Sequence, residues 1–148
     1  VTYLKAAILK AWLIRNHHQT ISNMLDETNT NVGYRLGRLF AVLEKAQQDA
    51  LPGLNSTIRD RFYSSASATP RAVFGRLLRT YQHHLGKLDI GAKIVREKQT
   101  QEILATMSDF PAHLNLRDQS QFALGYYHQR KDFFTKKEIE PTETTAAI

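Results

Sequence analysis

Arginines stand at positions 59, 61, 71, 76 and 79, and a run of small residues, SSASATP, separates the second from the third. Asp60 is the one acid among them. A guanidinium group offers paired N–H donors that match phosphate oxygens, so this set is suited to holding a polyanion. Arg35 and Arg38 precede it, and His83 and Lys87 follow. Catalytic chemistry has thinner support. The absence of cysteine removes disulfides, thiolate nucleophiles and cysteine-based zinc sites together. The six histidines, at 17, 18, 83, 84, 113 and 128, include two adjacent pairs. Neighbours on a helix point ~100° apart and miss the i, i+4 spacing of a helical zinc site. A ligand set such as His84, His128 and Asp118 would have to be assembled across helices. No D-x-D or H-E-x-x-H pattern is present, no glycine-rich loop opens a helix after a strand, and Ser64, Ser65 and Ser67 have no evident base. These features point to a binding protein rather than an enzyme, with no metal and no cofactor expected.

The placement of charge supports that reading. The chain has 148 residues and a formal charge of +6. Residues 30–88 hold nine Lys and Arg against three acids, so the whole excess belongs to this middle segment. A localised basic excess is the footprint of nucleic-acid binding; surface solubility is the alternative. The most apolar run, AAILKAWLI at 6–14, is nine residues long and contains Lys10. A membrane span needs ~20 apolar residues, and no cleavage-site pattern follows this run, so neither a span nor a signal peptide is expected. A cytoplasmic protein without a small-molecule substrate is the expectation.

The elements that must position these residues are helical. With 42% apolar and 23% charged residues, the composition is that of a globular domain, and the periodicity shows no alternating strand. The expected architecture is all-α, a compact bundle of five to six helices over residues 1–135, followed by a flexible tail at 136–148. Helices are expected at 2–17, 31–50, 57–65, 70–85, 90–108 and from after Asn115 to 134. Pro52 and Gly53 end the second, Thr69 and Pro70 open the fourth, and Gly86 closes it in a left-handed conformation.

Helical spacing assigns the core. Val32, Leu36, Leu39, Phe40 and Leu43 share one face, and Gly33 and Gly37 invite close approach of another backbone, because a helical glycine costs ~1 kcal/mol. In the fourth helix Phe74, Leu77, Leu78, Tyr81, Leu85 and Leu88 face inward. Arg76, Arg79, His83 and Lys87 fall in a stripe ~80° wide on the opposite side, ~16 Å long, with no acid between Arg71 and Lys87. The last helix has Phe122, Tyr126 and Phe133 on one face and Leu124, Tyr127 and Phe134 on another, as for a helix packed between neighbours. The first helix is apolar nearly all round, so Trp12 and Leu13 are expected at an interface with another subunit.

Four blocks then resemble a known family: YRLGRLFAVLEKAQ (34–47), NSTIRDRFYSSASATPRAVFGRLLR (55–79), HHLGKL (83–88) and FPAHLNLRDQSQFALGYYHQRKDFF (110–134). They are similar to the C-terminal helical region of the type I-C CRISPR Cascade large subunit, over about residues 31–134. That region is also made separately as a small subunit, and Val1 would then be an internal GUG start. Lys131 stands where glutamine is expected, and the first thirty residues match no recognised pattern.

The resemblance implies a non-catalytic subunit on the inner belly of a prokaryotic, cytoplasmic Cascade. Its implied partners are the guide RNA, the target DNA and the displaced non-target strand, the Cascade backbone and large subunits, and further copies of itself. Recognition of the protospacer-adjacent motif is not carried over, because the large subunit's N-terminal portion is absent from this sequence. Sequence-independent contacts to a nucleic-acid backbone are assigned to Arg35, Arg38, Arg59, Arg61, Arg71, Arg76, Arg79, His83 and Lys87. SSASATP would let a backbone approach the free N–H groups at the start of the fourth helix, or would serve only tight helix packing. The alternatives are a purely structural spacer and an unrelated helical DNA-binding regulator, the latter disfavoured by a seven-residue connection too long for a helix-turn-helix.

Overall fold

The computed structural model describes residues 4–12 and 24–135. Residues 4–12 are helical (α1), followed by α2 (Val32–Ala50), α3 (Ile58–Ala68), α4 (Pro70–Leu85), α5 (Ile90–Leu104) and α6 (Leu116–Thr135). Among the described residues there is no strand, and the fold class is all-α, a compact bundle. Leu13 and the expected tail at 136–148 lie outside the described residues.

Short polar side chains start each of the four helices that begin after a loop, because they satisfy amides the first turn leaves unpaired. Asn31 Oδ1 accepts from the Tyr34 N–H at 3.2 Å, Asp89 Oδ1 from Ala92 at 3.2 Å, and Asn115 Oδ1 from Asp118 at 2.8 Å. Thr57 and Asp60 form a reciprocal capping box at α3. Gly53, the one described residue with positive φ (+91°), turns the chain after α2.

The central element is α2, which packs against α3, α4, α5 and α6. It is buried on nearly every side: Leu36, Leu39, Phe40, Val42 and Ala46 are each 0% exposed. Glycine makes its closest approach possible. A Cβ at Gly33 would lie within 3 Å of the Asp118 carbonyl, and one at Gly37 within 3 Å of that of Phe122. Gly125 of α6 returns the fit against the Tyr34 carbonyl. The close approach expected at Gly33 and Gly37 is therefore present, and its partner is α6.

Four expectations are corrected. SSASA is not a connection but the last five residues of α3, with Ala66 and Ser67 buried, and Thr69 alone joins α3 to α4. Such a joint is shorter than the turn of a helix-turn-helix, not longer. Gly86 is right-handed, at φ −62°, and the chain continues through turn bonds from Lys87 to His84 and from Leu88 to Leu85. The fifth helix stops at Leu104 because the Thr106 hydroxyl and N–H both bond to the Ile103 carbonyl. Finally, α6 is covered on one face only among the described residues: Phe122, Tyr126 and Phe133 are buried, but Leu124, Tyr127 and Phe134 are 46%, 52% and 61% exposed.

Candidate nucleic-acid interface

The helical wheel of α4 divides as its sequence requires. Phe74, Leu77, Tyr81 and Leu85 are buried, whereas Arg76, Arg79 and His83 are exposed, as is Lys87 in the turn that follows. Arg61, from α3, lines the same groove as Arg76, and the Arg76 guanidinium rests over the Phe62 ring, 5.4 Å from its centroid. Arg61, Arg79, His83 and Lys87 form no hydrogen bond or ion pair among the described residues. No described acid is paired with them, and the α4 stripe is long enough (~16 Å) to follow several phosphates.

The remaining four arginines are engaged elsewhere. Arg59 projects toward α6, its guanidinium 5.6 Å from the Tyr126 centroid. The Tyr126 oxygen raises the Arg59 pKa more than any other group does, and Glu44 adds to the effect. Arg71 binds the Phe110 carbonyl at 3.0 Å and Asp109 at 3.1 Å, tying the start of α4 to the loop before α6. Arg35 donates to the carbonyls of Asn29 and Thr106, and Arg38 to Gln129 Oε1 at 3.1 Å. Burial lowers the Arg38 pKa. The small residues before α4 do not open its amide end: the Arg71 N–H is bonded to Pro111 O and the Ala72 N–H to Thr69 O.

A family model for CRISPR-associated proteins (Cas_Csd1) matches residues 1–134. The chain belongs to the Cas_Csd1 family. The match includes the first thirty residues, so the likeness read from residue 31 onward extends through α1. No curated protein matches the sequence. In this Cas_Csd1 chain Trp12 is 57% exposed, with Leu4, Ile8 and Leu9 exposed beside it, while Leu13 lies outside the described residues.

Of two buried polar groups of the Cas_Csd1 chain, Glu44 and His84, the first escaped the sequence reading. Glu44, 3% exposed, accepts from Tyr126 Oη at 2.5 Å and from Thr57 Oγ1 at 2.7 Å, and so joins α2, α6 and the start of α3. Burial first, and then Glu44, push the Tyr126 phenol far above its usual range, so it remains a donor. The available signal was position: Glu44 follows Phe40 by four residues and falls on the inward face of α2. His84, 7% exposed, lies on the core side of α4, and burial lowers its pKa with help from Lys87 and His83. His128 is bonded through Nδ1 to Tyr34 Oη at 2.8 Å, and the set of His84, His128 and Asp118 is not grouped in the fold. Among the described residues no three His, Asp or Glu side chains are grouped to hold a metal ion, and no helix is long and apolar enough to cross a membrane.

Proposed function

We propose that this Cas_Csd1 chain is a non-catalytic small subunit of a type I-C Cascade. In this reading it forms part of the inner belly, and supports the guide–target hybrid and the displaced strand through sequence-independent backbone contacts. The observation that carries the reading is the exposed set Arg61, Arg79, His83 and Lys87 on α3, α4 and the turn that follows, unpaired among the described residues, with Arg76 among them and no acid from 71 to 87. Guide-directed complexes leave sequence to base pairing, so such a subunit needs phosphate contacts without base preference. Arg59 reaches the same partner from the α6 side, whereas Arg35, Arg38 and Arg71 hold the scaffold. The exposed apolar residues of α1, Trp12 included, meet a neighbouring subunit.

Opening a duplex exchanges DNA pairs for guide–target pairs at nearly balanced free energy. Two charge-assisted contacts at ~1.5 kcal/mol each would shift that balance about a hundredfold. The test is to assemble the complex with and without this chain and measure target binding. Omission is expected to cripple binding of double-stranded target while guide-complementary single strands bind nearly normally. Equal losses on both would favour a structural spacer, and no loss on either would remove the proposed function.

A further inference from the structure

A groove of about 300 Å³ lies between the start of α3 and the middle of α4. Leu54, Ile58, Phe62 and Leu77 give it an apolar lining, and the exposed Arg61 and Arg76 stand beside them. Its volume is at the lower end for small-ligand sites, too small for a duplex and suited to one flat group. The helix end beside it cannot supply anion binding. The Thr57 N–H is bonded to Asp60, that of Ile58 to Gln47 Oε1 at 2.8 Å, and that of Arg59 to Thr57 Oγ1. Any anion there must be held by the two guanidinium groups, of which Arg76 also widens the planar surface over Phe62.

Apolar lining and paired cations ask for different parts of one ligand. A phosphodiester alone leaves Leu54, 44% exposed, without a partner, and makes no use of the flat face that Phe62 and the Arg76 guanidinium form together. A base stacked inside a duplex cannot reach them, whereas an unpaired nucleotide supplies both a π-face and a phosphate. We infer that this groove seats one unpaired nucleotide of single-stranded DNA, its base against Leu54 and Phe62 and its phosphate between Arg61 and Arg76. The inference rests on the nucleic-acid reading above and narrows it: these residues serve a displaced strand rather than the hybrid.

The test uses the full chain at low salt with three labelled probes of equal length: oligothymidylate, an abasic phosphodiester and a duplex. Oligothymidylate is expected to bind at least about fivefold more tightly than the abasic strand, the lower end of one base stacked on an aromatic ring. Leu54→Ser, at an exposed loop position, should remove that margin. Arg61→Gln with Arg76→Gln should weaken both single strands and lower the salt slope by about one to two. Photo-crosslinks from 4-thiothymidine should map to residues 54–62. Equal binding of the thymidylate and abasic strands, tighter binding of the duplex, or crosslinks confined to other segments would overturn the groove assignment and leave the backbone reading standing. Failure to bind all three probes would remove the groove, while the reading itself is judged by omission from the assembled complex.

Discussion

Two helix pairs in this molecule use the same residue types to opposite ends. The α2–α6 seam brings glycines at 33, 37 and 125 against facing carbonyls, and seals a carboxylate, Glu44, beneath a tyrosine hydroxyl. The outer face of α3 and α4 also carries a glycine, Gly75, but a Cβ there would meet nothing within 4 Å. Four of its cations, Arg61, Arg79, His83 and Lys87, form no hydrogen bond or ion pair among the described residues, unlike Glu44. Where small and charged residues are enclosed, they are committed to the fold; where they are open, folding does not explain them, and the proposed function would.

The sharpest way to break this comparison is Gly37→Ala. The seam cannot admit a Cβ without moving the α6 backbone, so a loss of about 3 kcal/mol or more is expected in urea unfolding. A change below 1 kcal/mol would show that the seam is looser than described. Next comes Tyr126→Phe, which leaves one oxygen of buried Glu44 without its donor. A loss of about 2–3 kcal/mol is expected, again by urea unfolding. Gly75→Ala should do the reverse of Gly37→Ala and raise stability by about 0.5–1 kcal/mol, read as a higher melting temperature.

Acid should destabilise the fold through two inward-facing histidines. Burial depresses the pKa of His84 and of His128, so both favour the neutral ring in the folded state. Above an unfolded value of ~6.5 their contribution is complete; as pH falls below it, the unfolded chain takes up protons that the folded histidines refuse. Melting temperature should therefore fall from pH 6.5 downward, and His84→Gln should flatten that dependence. The smallest stability effect belongs to the outer face. Replacing Arg76, Arg79 and Lys87 by Gln should change unfolding free energy by no more than about 0.5 kcal/mol. In the assembled complex the same variant should reduce the salt slope of target binding by about two to three.

What was legible in the sequence follows from what each signal measures. Gly33 and Gly37 announced the seam because glycine is expensive inside a helix, although nothing in the sequence named α6 as the facing element. The outward stripe of α4 was legible because its inward face is apolar. SSASA was misread because small buried residues carry no hydrophobic period, even where Ala66 is fully enclosed. The two apolar faces of α6 recorded composition and not coverage. The division of the arginines was the least legible of all. Arg71 is held by Asp109, 38 residues away, and only the folded loop brings them together.

The single-residue joint at Thr69 has a mechanical consequence. Its N–H and its hydroxyl both bond to Ser65 O, and the adjoining Ala68 carbonyl and Arg71 N–H are bonded to Leu114 and Pro111. With so little slack, α3 and α4 move as one rigid lever, and the distance between Arg61 and the α4 cations behaves as a fixed ruler. Under the proposed function, little backbone ordering entropy would remain to be lost on binding a strand, and the strand would have to adjust its own path to the spacing it met. Lengthening the joint by inserted glycines would leave every charge in place and still surrender that gauge.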